Sequence, residues 1–329
     1  MKLNGLLLRI KNMTSLVFAM VMINHYSAQA QQEVQYSQYM FNMLAVNPAY
    51  AGSRDILSMT AVYRQQWVNI TGAPSTQSFS IDTPINREKV GIGFQAYNDQ
   101  IGDYRNVGLY GSYAYRVKVT DRTTLSMGIQ AGATNLTGNL TQVKLTQTGD
   151  QAFTYSFNKW LPNVGAGLYL SDDRGYVGFS CPSLIQNKLM DGTAQGADST
   201  SRQYRHYFLM MGFVVPLGES LVLKPSFLSK ATRDAASFDF NLNLWLNDKI
   251  ALGCSWRTNN LKFKSPFANQ NGDAIVGLLE VQATDQIRFG YAYDYALNGL
   301  KSLQKGSHEF MLRYEFGYRK AKILTPRYF

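Results

Sequence analysis

The sequence predicts an all-β fold, a transmembrane antiparallel β-barrel of about 14 strands with short periplasmic turns and longer external loops. Three observations lead there. The stretch Asp285 to Tyr295, DQIRFGYAYDY, puts Ile287, Phe289, Tyr291, Tyr293 and Tyr295 on one strand face and Arg288, Gly290, Ala292 and Asp294 on the other. Segments of similar length and alternation recur along the chain, divided by turn residues, and their connections alternate between tight and long. The chain is 45% hydrophobic, yet its mean hydropathy is −0.21, which fits alternation better than continuous apolar runs. Its 21 Tyr and 27 Gly suit aromatic girdles and glycine-rich walls.

Residues 1–30 read as an export signal: Lys2, Arg9 and Lys11 at the start, an apolar stretch from Met13 to Ile23, and the cleavage triplet Ala28-Gln29-Ala30. The apolar stretch is shorter than the roughly 20 residues of a spanning helix. An uncleaved anchor is the competing reading, and the triplet favours removal. Every later apolar run is interrupted by charged or polar residues. Residues 31–55 lack clean period-two alternation, and Asn47-Pro48 followed by Ala51-Gly52 marks turns before the first strand. This N-terminal segment either enters the lumen or lies beneath it in the periplasm.

The SQYM run at Ser37 and the NPAYAGS run at Asn47, followed by RQQW at Arg64 and GAPST at Gly72, resemble the PorP/SprF family. The likeness continues through Ser80-Ile81-Asp82, Asn98-Asp99 to Gly102, FGYAYDY and Ser307-His308-Glu309, so it covers essentially the whole chain after the leader. NPAYAGS is its specific piece. The resemblance implies an outer-membrane component of the type IX secretion and gliding machinery of Bacteroidota. It also implies partners: a secreted adhesin-type surface protein held through its type IX C-terminal domain, periplasmic lipoproteins of the machinery, and outer-membrane lipid.

Within a barrel region of 56–319, fourteen strands are expected at 57–68, 76–85, 90–98, 105–119, 123–134, 163–171, 175–182, 204–217, 220–229, 237–246, 249–258, 273–283, 286–296 and 307–319. Alternation is clearest in the fifth, tenth and fourteenth. In the tenth, Phe238, Phe240, Leu242, Leu244 and Leu246 oppose Asp239, Asn241 and Asn243. Tight connections fall at Asn86 to Lys89, Thr120 to Arg122, Asp172 to Arg174, Gly218-Glu219, Asn247-Asp248 and Thr284-Asp285, with longer ones between them. Both termini on the short-turn side require an even strand number. Residues 320–329 form a periplasmic tail in which Pro326 limits further pairing.

Opposite the apolar stripe lie Arg64, Arg116, Lys118, Asp239, Arg288, Asp294, Arg313 and Glu315, expected as lumen charges that pair across a narrow interior or line water. Tyr97, Tyr110, Tyr169, Phe208, Met210 and Trp245 share the inner faces and favour an obstructed barrel over a wide pore. Asn47, Pro48, Tyr50, Gly52, Arg64 and Trp67 are the candidates for a plug or a partner contact. For Trp67 an interfacial girdle is the simpler reading, and for Arg64 a lumen charge. Gly91, Gly93, Gly165 and Gly167 read as wall curvature.

No catalytic, metal or cofactor site is expected. His206 and His308 lack a second ligand at metal spacing, and no phosphate-binding loop or nucleophile elbow occurs. Ser307 and His308 point to opposite strand faces, so they make no nucleophile–base pair. The formal net charge of +10 is scattered rather than gathered into a nucleic-acid patch. Cys181 and Cys254 read as small apolar strand residues, with a disulfide as the alternative. Two functions from different classes follow: a non-enzymatic partner protein of a secretion machine, or a solute-diffusing porin.

Overall fold

The computed structural model of the protein describes residues 33–86, 88–139, 156–189, 202–233, 235–258 and 273–316. Its strands are β1 (Leu57–Gln65), β2 (Ser75–Ile85), β3 (Val90–Ile101), β4 (Tyr104–Lys118), β5 (Thr124–Asn139), β6 (Ser156–Ser171), β7 (Gly175–Cys181), β8 (Tyr207–Phe213), β9 (Val215–Pro216), β10 (Leu221–Ala231), β11 (Ala236–Leu246), β12 (Ile250–Thr258), β13 (Ala274–Gln282), β14 (Ile287–Ala296) and β15 (Ser307–Phe316). The two-residue β9 continues β8 along the same edge of β10, so the wall has fourteen staves. Each pairs antiparallel with its neighbours in sequence. The sheet closes where β1 meets β15, in register from Leu57↔Phe316 to Gln65↔His308. Closure leaves no edge strand, which is the condition for crossing hydrocarbon with strands.

The alternation seen in the sequence becomes an inside and an outside. Outward faces expose large apolar side chains such as Phe79, Phe94, Ile129, Leu168, Leu252, Phe289 and Phe310. Inward faces bury Arg64, Asp239, Glu280, Glu309 and Arg313. That arrangement inverts a water-soluble core and suits a surface solvated by acyl chains.

All fourteen predicted strands are present, with three local differences. β6 begins at Ser156 rather than at residue 163, because outward Asn158 and Pro162 hide the apolar pattern while the ladder to β5 runs on to Asn139↔Ser156. The predicted strand 204–217 is interrupted at Val214, whose N–H donates to the Arg174 carbonyl at 2.7 Å, and Pro216 beyond it has no N–H to give. Loop lengths segregate less strictly than the sequence implied. On the long-loop side, β3 and β4 are joined by Gly102 and Asp103 alone, and β10 and β11 by residues 232–235. Gly102 supplies the positive φ (+55°) that so short a link needs.

Lys118 is exposed at the short-turn end of β4 and does not join the lumen charges, because the strand has left the barrel interior there. Cys181 is buried and Cys254 exposed, and both are free thiols, which rules out the disulfide alternative. The expected leader (1–30), the tail (320–329) and the last residues of the final predicted strand lie outside the described residues. The wall is uneven in height. β4, β5 and β6 run for 15, 16 and 16 residues, whereas β7 and β8 have seven each; a tilted spanning strand takes about 9–11.

A lumenal plug as the candidate functional site

Residues 33–56 fill the barrel. Tyr39–Phe41, Met43–Ala45 and Pro48–Tyr50 each form one 3-10 turn, a compact way to pass a short chain through a narrow space. Tyr39, Met40, Phe41, Met43, Leu44 and Ala49 are almost fully buried, packed with inward Tyr169, Met210, Leu228 and Trp245 in one apolar cluster. A lumen lined by charge therefore carries an oily plug. The segment passes from the long-loop end of the wall, where Ser37 meets Glu309 near the start of β15, to the short-turn end, where Arg54 meets Glu315.

At the long-loop end, wall charges converge on a single serine. Arg64 contacts Asp294 at 2.7 Å and Glu309 at 3.1 Å, while Arg257 contacts Asp239 at 2.5 Å and Asp294 at 2.9 Å. The Ser37 hydroxyl donates to Asp294 at 2.7 Å and accepts from Arg64 at 2.7 Å. The backbone N–H groups of Ser37 and Gln38 donate to the two Glu309 oxygens at 2.8 and 2.7 Å. Two arginines thus bridge three carboxylates around the plug, and charge-assisted bonds hold its start.

Halfway down, Asn47 locks the NPAYAGS run. Its Oδ1 accepts from the Ala49 N–H at 2.9 Å, capping the turn that Pro48 begins, and its Nδ2 donates to the Leu168 carbonyl of β6 at 2.9 Å. Tyr50 stands edge-on to Tyr169, ring centroids 5.6 Å apart. Phe41 lies between Arg288 and Arg313, which face each other across β14 and β15; their guanidinium carbons sit 5.8 and 5.3 Å from its ring centre. The π-face offsets a like-charge pair that would otherwise be repulsive.

At the short-turn end the plug brings charges of its own. Arg54 pairs with Glu315, and Asp55 takes Arg116 at 2.7 Å. The Gly52 N–H donates to Asp82 at 2.8 Å and its carbonyl accepts from Arg116 at 2.9 Å. Trp67 is set apart from all this. It is half-buried in the β1–β2 connection, and its backbone N–H donates to the Ser307 hydroxyl at 3.2 Å.

Two features escaped the sequence reading. Arg257 is central to the upper network, and its inward phase on β12 was the signal available. The inner-face glycines are the second. A Cβ on Gly91 would overlap the Ala51 carbonyl, one on Gly128 the Ala49 backbone, and one on Gly167 the Asn47 side chain. These glycines give the plug backbone room against the wall, a more specific role than curvature. Their signal was period-two glycine in phase with the inward face.

The family described as type IX secretion system membrane protein PorP/SprF matches residues 28–314. The chain belongs to this family. As a PorP/SprF protein with a closed barrel it resides in the outer membrane. Among solved structures, it is similar to the Acinetobacter baumannii outer membrane protein Omp33 at 8% identity and a TM-score of 0.47, over 79% of this chain and 98% of that one. The Pseudomonas putida toluene transporter TodX matches at 9% identity and 0.46, over 86% and 94%, and a Pseudomonas aeruginosa FadL homologue at 12% and 0.44, over 85% and 94%. Comparison with curated proteins gives no match. Among the described residues of this PorP/SprF protein, no group of three or more His, Cys, Asp or Glu is arranged to hold a metal ion.

Proposed function

We propose that this PorP/SprF protein is a non-enzymatic support within the type IX secretion system. In this reading residues 1–30 are removed on export. The long external loops hold an adhesin-type secreted protein through its C-terminal domain. The short turns and the tail meet periplasmic lipoproteins of the secretion and gliding machinery. The plug carries the reading: a lumen occupied from Tyr36 to Ala51 by nearly solvent-free side chains suits a rigid platform, and rigid walls bearing variable loops are a common way to carry recognition.

Deleting the gene and assaying surface adhesins by whole-cell labelling tests it. Adhesins should be lost from the surface, and normal export and display would sink the proposal. The solute-porin alternative requires an open lumen, and planar-bilayer recording of the purified chain separates the two. A stable, large, ion-selective conductance would favour the porin.

A further inference from the structure

The wall closes across the hydrocarbon, but above it one stave stands alone on one side. β5 pairs with β6 over its whole length, Ser156 to Ser171, whereas the β7 ladder covers only Ala166 to Ser171. Residues 182–187 extend that flank a little. The Val164 carbonyl accepts from the Leu184 N–H at 2.8 Å, and the Pro162 carbonyl from the Asn187 side-chain nitrogen at 3.0 Å. The chain then turns inward, where Leu189 packs with Leu136 and Leu161. We propose that the β6 edge above Pro162 takes up an extended strand of an exported protein by strand addition. The proposal rests on the support reading for the owner of that strand, and it names how the client is held.

Three observations carry it. The first is main-chain groups aimed outward from the edge. Val164 turns both of its own to the β7 side, its N–H reaching the Asn163 side-chain oxygen at 3.0 Å. The register with β5 is unbroken, so period two directs those of Pro162, Trp160 and Asn158 the same way. No backbone group among the described residues answers Trp160 and Asn158 on that side. Pro162 agrees with this, since a strand tolerates proline where no ladder bond needs its N–H. The second is height. A tilted span of about 9–11 residues counted up from Ser171 ends between Asn163 and Leu161. Trp160 and Asn158 therefore stand at or beyond the lipid boundary on the long-loop side, where a water-borne chain reaches them. The third is apolar surface on both faces of the edge. Trp160 points outward and is 65% exposed, while Leu161 points inward with Phe157 against it. Alternating β-branched side chains on an added strand would pack on both.

The lumen behind Leu161 is lined by two carboxylates, Glu33 and Asp99, against one lysine, Lys230, which favours a neutral or basic strand. A second copy of the chain does not suit the edge. Barrels in one membrane share an upward direction, so two β6 edges meeting there would cross at twice the strand tilt of about 35–45° and form no ladder.

The test is fluorescence anisotropy on the purified protein in detergent. The probe is a dye-labelled, alternating threonine–valine peptide with lysine at each end, compared with the same peptide N-methylated at alternate residues. The methylated peptide should bind at least about tenfold more weakly, the worth of one or two main-chain hydrogen bonds. Asn158→Pro removes an edge N–H and leaves the β5 ladder whole, and it should weaken the unmethylated peptide about threefold or more. Asn158→Thr keeps that N–H and should bind like the unaltered protein, with heat-modifiable migration confirming that both variants are folded. No binding at millimolar concentration, equal affinity for the two peptides, or identical binding by the two variants would each overturn strand addition and leave the support reading standing. Normal adhesin display after gene deletion, with peptide binding intact, would sink the support reading alone.

Discussion

The two ends of the plug are held by different means. At the long-loop end the charges belong to the wall: Arg64, Arg257, Asp239, Asp294 and Glu309 pair with one another, and the plug adds a hydroxyl and two backbone N–H groups. At the short-turn end the plug supplies Arg54 and Asp55, and the wall answers with Glu315 and Arg116. The upper ion pairs therefore need no charge from the plug, whereas at the lower end Glu315 and Arg116 would lose their ion-pair contacts with it. Since removing one member of a buried pair costs far more than the pair contributes net, the lower contact is the one that penalises release. The segment is tied most firmly next to β1, from which it cannot part, and more lightly around Ser37.

Three substitutions probe that contrast, in order of expected size. Gly128→Val strikes the middle, where a side chain on β5 would occupy the space of the Ala49 backbone. It should expel the plug, giving a larger bilayer conductance than that of the unaltered protein and protease cleavage within 33–56. A silent, protease-resistant variant would show that the glycine seat is dispensable.

Arg54→Met comes next. It leaves Glu315 buried without its partner and should cost about 3–5 kcal/mol by denaturant unfolding in detergent. Adding Glu315→Gln should recover most of that loss, because the stranded charge and not the missing contact is the cause. A double variant as unstable as the single one would contradict this.

Ser37→Ala should cost least, about 1.5–3 kcal/mol for hydrogen bonds to charged groups. The wall ion pairs stay intact in that variant. If Ser37→Ala proved as damaging as Arg54→Met, the two ends would be equivalent and the asymmetry would fall.

Strand number, strand faces and the inward phase of Arg116, Asp239, Arg288, Asp294, Arg313 and Glu315 were determined by the sequence alone. Period two is a local geometric property, and lipid on one side demands apolar groups at every second position. Exceptions arose where the outward face turns polar, as at Asn158 in β6, because the alternation loses contrast once a strand rises past the hydrocarbon. Which inward group meets which was decided only by the tertiary structure. Ser37 finds Glu309 and Phe41 finds Arg313 across most of the chain's length, and those meetings exist only after β1 closes against β15. The same closure turned a turn-rich N-terminal stretch into a plug and glycines that read as wall curvature into its seat. Composition shows which side chains turn inward, but the partner of a buried charge depends on the three-dimensional path of the backbone around it.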